Sequence, residues 1–395
     1  MAGWLAASGC LGPAAVRFTR MQYNEAVRST NDEQLLTNLV RLRYADTPVF
    51  VDLPNITSQF ELAAGGSDPG PSGSQTNFGV GGAWGRDSPT LSYHPRQGRE
   101  IAKALLDPLS PNLYSVVNAG ARLDQLMWMT LNDINDVQNA ARAATLVPRV
   151  PDDNTLFLRG IQLLAEIDDR GGAEIGFSPI ENKKSTSDPV LAGHVQGRDV
   201  LDAARGGYVY RDTGDGRMAL YKRESVLTLK IRSPFTHSPE MEEMARIFNL
   251  TAGLPRYKIE SELEPGAEST PPSALPVGDT IYLNLRSILQ IMTFLSKGVC
   301  IPDEHIRNGV APMTPDADGR PFDWTRITAG NFVVDVQKHR PRDAEVAVPY
   351  RGYWFYIRRG DVNSRSVLAV LEILFSLQES DEKSTGPVLT LPAGR

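Results

Sequence analysis

The chain has 395 residues, 41% of them hydrophobic and 22% charged, which is enough for two domains, or one domain with an appendage, around a real core. Its 41 Lys and Arg against 47 Asp and Glu leave a formal net charge of −6, so no nucleic-acid partner is expected. Two cysteines, Cys10 and Cys300, and five scattered histidines exclude a disulfide framework and any zinc or iron–sulfur spacing; no metal and no cofactor is expected.

At the front of the chain, Leu5-Ala6-Ala7-Ser8-Gly9 leads into Cys10 behind an apolar stub that starts at Trp4. Small residues before a single cysteine resemble the lipobox of bacterial lipoproteins, whose cysteine is diacylated on sulfur. Met1 to Gly9 carries no Lys or Arg and too few apolar positions for a complete signal, so the true signal is expected to begin upstream. No later stretch approaches the roughly 20 apolar residues of a spanning helix. The implied location is the periplasmic face of a bacterial outer membrane, because Leu11 rather than Asp follows the cysteine.

Residues 11–22 read as a tether. Thr30-Asn31-Asp32-Glu33 then has the form of a capping box before the periodic run Leu35, Leu36, Leu39, Val40 and Leu42, which predicts an amphipathic helix ending near Tyr44. Two alternating runs follow, Ile56 to Ala64 and Asn77 to Trp84, separated by a Gly/Ser/Asp/Pro loop. They predict a long β-hairpin with Ile56, Phe60, Leu62, Phe78, Val80 and Trp84 on one apolar face, the expected membrane or assembly contact.

Helices are expected at about 97–106, 111–119 and 121–137, with Pro148 and Pro151 marking a boundary. Asp152-Asp153-Asn154 caps a helix over about 155–169 that Gly171-Gly172 ends. Beyond it come a helix at about 198–205, a hairpin around 212–216, a strand at 225–232 and a helix from Pro239 to Leu250. Strands at about 255–262 and 279–285 flank a Pro/Gly-rich loop, and residues 387–392 read as a last strand. In the C-terminal third, Asn284 to Met292 lines up with Asn363 to Leu371, each behind a Tyr- and Ile-rich strand. That predicts a duplicated strand–helix unit on one shared sheet, with Asn284 and Asn363 as capping or turn residues. The fold class is therefore α+β: a mixed or antiparallel sheet with packed helices, the duplicated unit, and a long protruding β-hairpin near the N-terminus. The expected division is 1–22 signal remnant and tether, 23–150 a helical region carrying the hairpin (56–93), and 151–395 a body with the repeat (279–298 and 350–378).

No catalytic residue emerges. Gly79 to Gly85 lacks the third glycine of a dinucleotide loop, since position 84 is Trp, and there is no Gly-x-Ser-x-Gly elbow, zinc-protease helix or Walker lysine. Asp316, Asp318 and Asp323 lack the order of a calcium loop and read as a polar turn. Cys300, after Gly298-Val299, reads as a buried structural thiol. The short basic runs Lys338-His339-Arg340 with Arg342, and Arg358-Arg359, read as solvated loop faces. Tyr350, Tyr353, Trp354, Phe355 and Tyr356 could stack a ligand, although a strand covered on both faces accounts for them equally.

Residues Asn31 to Pro48, and Tyr350 to Tyr356 continuing to Arg365-Ser366, together with the Gly-rich hairpin and the repeat helix, resemble an uncharacterised family of predicted bacterial envelope lipoproteins. The resemblance runs over most of the chain, implies an envelope location, and carries no activity or catalytic residue. The expectation is a non-enzymatic, lipid-anchored component of an outer-membrane complex, joined to copies of itself or to other envelope proteins. Two alternatives stay open: an oligomeric pore built from the 56–84 hairpins, and a periplasmic enzyme or ligand binder.

Overall fold

The computed structural model describes residues 11–64, 76–80, 83–95, 99–147, 149–181, 185–262, 278–328 and 330–380. Cys10 and the expected last strand at 387–392 lie outside them. The fold is α+β. In chain order it runs α1 (Leu11–Arg43), β1 (Val51–Ala64), β2 (Thr76–Val80), β3 (Ala83–Pro95), α2 (Arg99–Leu106), α3 (Leu123–Thr130), β4 (Leu131–Ile134), β5 (Val137–Gln138), α4 (Thr155–Asp169) and β6 (Ala173–Glu181). It continues through β7 (Val190–Leu191), α5 (Gly197–Arg205), β8 (Tyr208–Asp212), β9 (Arg217–Ile231), α6 (Pro239–Ile247), β10 (Arg256–Ser261), β11 (Thr280–Leu285) and α7 (Ile288–Leu295). It closes with α8 (Asp303–Arg307), α9 (Thr325–Thr328), β12 (Asp335–Gln337), β13 (Ala344–Tyr350), β14 (Tyr353–Arg358) and α10 (Val362–Ser380).

The strands form three sheets. An eight-stranded mixed sheet has the path β5-β4-β11-β10-β9-β6, with β7 and β8 paired to the first half of the long β9. Along β11 burial alternates: Ile281, Leu283 and Leu285 face the core, while Thr280, Tyr282 and Asn284 are half-buried on the other side. That is the pattern of a sheet covered fully on one face only. The core helix is α7, whose Ile288, Ile291, Met292, Phe294 and Leu295 are all buried and which α1, α2 and α3 flank. Helices α4 and α6 pack closely: a Cβ on Gly160 would lie 2.3 Å from Phe248, and Arg159 grips Glu243 through two 2.9 Å bonds. One hydrophobic cluster runs from Leu35 to Leu374 and includes residues on both sides of the Pro148–Pro151 segment.

Several expectations need correction. The stretch at 11–22 is not a tether but the first turns of α1, a helix of 33 residues. The apparent capping box lies inside it, because Thr30 bonds back to the carbonyls of Ala26 and Val27 and Arg28 pairs with Glu25 and Asp32 across successive turns. No Gly or Pro occurs between residues 14 and 43 to stop propagation. The helix expected over 121–137 ends at Thr130 and the chain turns directly into strand β4. Asn135 and Asp136 both take positive φ (47° and 66°), closing β4 onto β5 in the two-residue geometry that Asn and Asp tolerate best. Cys300 is exposed rather than buried.

The duplicated strand–helix unit is present, as β11 with α7 and β14 with α10, but its two strands do not share one sheet. Its first strand, β11, belongs to the large sheet, whereas its second, β14, lies between β12 and β13 in a separate three-stranded sheet. Neither asparagine caps a helix. Asn284 sits in β11 and donates to Asp133 (3.0 Å), while Asn363 sits inside α10 and accepts from Arg122 (3.3 Å). The caps are Ser287, in a reciprocal box with Gln290, and Asp361, which takes the amide and hydroxyl of Ser364.

Candidate functional site: the arm and its root

Strands β1, β2 and β3 pair with one another in the order β1-β3-β2, all neighbours antiparallel. No helix or strand of the body makes a comparable contact with them among the described residues. The two runs expected to form a hairpin meet only at their ends, where Ala63 and Ala64 pair with Trp84 and Ala83. Residues 56–64 pair with 83–91 (Ile56 opposite Leu91, Ala64 opposite Ala83), and 76–80 add a third strand on the far side of β3. The alternation located β1, but its second run joined most of β2 to the first residues of β3, and it carries no information about which strand lies beside which.

The register also divides the expected contact residues. Phe60 is opposite Asp87, Leu62 and Phe78 are both opposite Gly85, and Val80 is opposite Ala83, so Ile56, Phe60, Leu62, Phe78 and Val80 fall in one register set. Trp84 is opposite Ala63 and Gly79 and belongs to the other set. The single apolar face anticipated for all six is thus five residues with an Asp in their midst. Pro89, which cannot donate to a ladder, falls in the part of β3 that β2 does not reach.

The root of the arm is built by side chains of α1. Gln34 and Asn38, one turn apart on the same side of the helix, act as a short substitute strand. Asn38 both donates to the Val49 carbonyl (2.8 Å) and accepts from the Val49 amide (2.9 Å), and Gln34 accepts from the Val51 amide (2.7 Å). Alternate residues of an extended segment offer their backbone groups to one edge, so residues 49 and 51 meet the helix together. Phe50 is buried and stacks on Phe375 of α10 (centroids 5.0 Å, 21° between planes). Nothing in the periodic pattern named Asn38 as functional. A polar residue inside the stripe Leu35, Leu36, Leu39, Val40 was the available signal, and burying it is tolerable only with both amide groups bonded.

Beside the root, the end of α1 and the β13–β14 hairpin come together. Helix α1 ends with Ala45 at φ 60° and the Asp46 amide bonded to the Arg41 carbonyl, which swings Tyr44 and Asp46 toward the β13–β14 hairpin. That hairpin turns through Arg351 and Gly352, both at positive φ. Asp46 accepts from the Tyr350 hydroxyl and from Arg351 (2.8 Å), and these bonds hold its carboxyl below the usual range. The Tyr44 hydroxyl lies 2.6 Å from Nδ1 of buried His305, and burial pushes its pKa up to about 12. Tyr353 donates to Glu304 (2.9 Å) on the same short helix as His305. With Asp46 firmly ionised and Tyr44 firmly protonated, the cluster acts as a fixed clasp between α1, α8 and the β13–β14 hairpin.

A second buried polar centre lies where α3 ends. Arg286 is fully buried and spends its guanidinium on the carbonyls of Trp128 and Met129 (3.1 Å each) and Asn139 (2.6 Å) and on the Asn132 side chain (3.1 Å). Its plane stacks on Phe294, 3.8 Å from the ring centroid, and burial pulls its pKa down to about 9. Two of these acceptors, the Trp128 and Met129 carbonyls, are left over at the C-terminus of α3, so the arginine helps to cap it. On the two sides of β11, burial raises the carboxyls of Asp133 to about 6 and Glu262 to about 7, and each has one buried oxygen with no hydrogen-bond partner among the described residues.

No protein-family model, curated protein or solved structure matches this chain.

Proposed function

We propose that the chain is a lipid-anchored protein of the bacterial envelope, acylated at Cys10 on the periplasmic face of the outer membrane, and that it is a structural or assembly component without a catalytic role. The observation that carries this reading is the arm. Its outer strands β1 and β2 have open main-chain edges among the described residues, the form in which one chain adds strands to another. Its root is locked by Gln34 and Asn38 to α1, a rod of about 50 Å whose N-terminal end adjoins Cys10 in sequence. Anchor, rod and arm are consecutive, so the membrane would be held at one end of the helix and a partner at the other. The partner is another copy of the chain or a second envelope protein.

The test is expression behind a complete lipoprotein signal in a Gram-negative host, followed by membrane fractionation, intact-mass analysis and detergent-phase light scattering. Expected are a diacyl mass on Cys10 and a particle larger than one chain. Removal of residues 54–93 should dissolve that particle while leaving the thermal unfolding of the body in place. An unacylated chain in the cytosol ends the envelope reading; a monomer that ignores the deletion ends the assembly reading.

A further inference from the structure

We propose that the outer face of the β12–β14 sheet binds an acidic sugar, meaning a pyranose ring that carries a carboxylate or a phosphate. Strand alternation buries Phe355 and Ile357 in the core and leaves Trp354, Tyr356 and Arg358 on the opposite face. There Gln337, Pro341, Arg342, Asp343, Tyr356 and Arg358 line an open cleft of about 350 Å3, near the lower end of the range for small-molecule sites. The basic run at 338–342 is therefore more than a solvated loop: it lies beside the aromatic strand, with Arg340 over the Trp354 ring at 5.4 Å. Two motifs that read separately in sequence form one place in the fold.

The lining is arranged for both halves of such a ligand. Tyr356 supplies a half-buried ring for the C–H face of a sugar, and Gln337 orients its phenol, accepting from it at 3.4 Å while donating to the His339 carbonyl at 2.8 Å. Arg358 is held by Asp335 through two bonds of 2.7 and 3.0 Å, which fixes the guanidinium beside the cleft. Arg342 has no ion pair among the described residues, leaving a planar fork for a carboxylate or phosphate oxygen pair. Asp343, also in the lining, accepts from hydroxyls and repels a densely charged anion, so a ring with several hydroxyls and one acidic group fits better than bare phosphate. This site is separate from the arm and does not depend on the envelope reading.

Calorimetric titration of the full chain at low salt tests the proposal with four probes: a galacturonic acid trimer, glucose 6-phosphate, maltotriose and inorganic phosphate. Binding of at least one acidic sugar is expected, at least about tenfold tighter than maltotriose or phosphate. Arg342→Ala and Tyr356→Ala should each weaken that binding by about tenfold or more, while Tyr356→Phe, which keeps the ring, should weaken it less. The proposal is overturned if neither acidic sugar binds, if maltotriose binds as tightly, if phosphate alone binds as tightly, or if the Arg342 variant binds like the parent. Arg342 is an exposed loop residue, so its variant reads out binding without a folding defect.

Discussion

Arg286 and Arg365 stand at equivalent places in two closely matching segments, and the fold treats them in opposite ways. The first is sealed in the interior, bonded to the carbonyls of Trp128, Met129 and Asn139 and stacked on Phe294. The second is exposed at the edge of α10, donating to the Arg359 carbonyl (3.0 Å) and lying 3.5 Å from Glu345. Their neighbours diverge as well. Ser287 caps α7, whereas its counterpart Ser366 lies four residues inside α10. Both segments thus sit where a strand gives way to a helix, while surroundings decide which side chain becomes structural. A buried arginine with no direct ion pair needs neutral acceptors, and only the first segment meets carbonyls that supply them.

This contrast can be broken most directly at the arginines. Arg286→Met should destabilise the body by about 3–5 kcal/mol in urea unfolding, because the Met129 and Asn139 carbonyls and the Asn132 side chain lose the guanidinium together. Arg365→Met should cost about 1 kcal/mol or less, as expected for a surface pair. Equal losses at the two positions would show that burial is not what separates them.

The first segment also faces the raised carboxyls, and that gives a pH signature which the second segment lacks. A carboxyl whose folded pKa lies above its unfolded value stabilises the fold below the unfolded pKa and loses that contribution as pH rises through the folded one. Stability should therefore decline from about pH 4 to about pH 7, as the pH passes from the unfolded carboxyl range through the folded values of Asp133 (about 6) and Glu262 (about 7). Asp133→Asn should remove a share on the order of 2 kcal/mol from that decline and keep the bond to Asn284. An unchanged pH profile in this variant would refute the assignment. The smallest expected effect is at the serines: Ser287→Ala should cost about 1 kcal/mol through loss of the cap, and Ser366→Ala should change stability by about 0.3 kcal/mol or less.

How much of this was legible in the sequence depends on the range of the interaction concerned. Helix α4 spans the residues its flanking Asp153 and Gly171 mark, since caps and left-handed glycines act within one turn. The α+β class follows likewise from local periodicity. The path from α3 into β4 did not emerge, because Leu131 and Ile134 are spaced as well for a helix as for the short strand they form. The order β1-β3-β2 was hidden for a different reason: pairing is a choice among distant segments, and period-2 alternation is identical for every choice. The root and the clasp were also out of reach, as Asn38, Tyr44 and His305 acquire their partners only when α1, α8 and β13 converge.

The strand order of the arm has an arithmetic consequence. Since β3 runs against both neighbours, the two outer strands point the same way, and three is an odd number. A closed cylinder made from identical arms side by side would therefore place like-directed strands against each other at every seam. Single-chain outer-membrane cylinders avoid this by using an even count that alternates throughout. Copies of this chain could alternate only if each contributed a fourth strand or if neighbouring arms faced opposite ways about a two-fold axis, where β1 meets β1 or β2 meets β2.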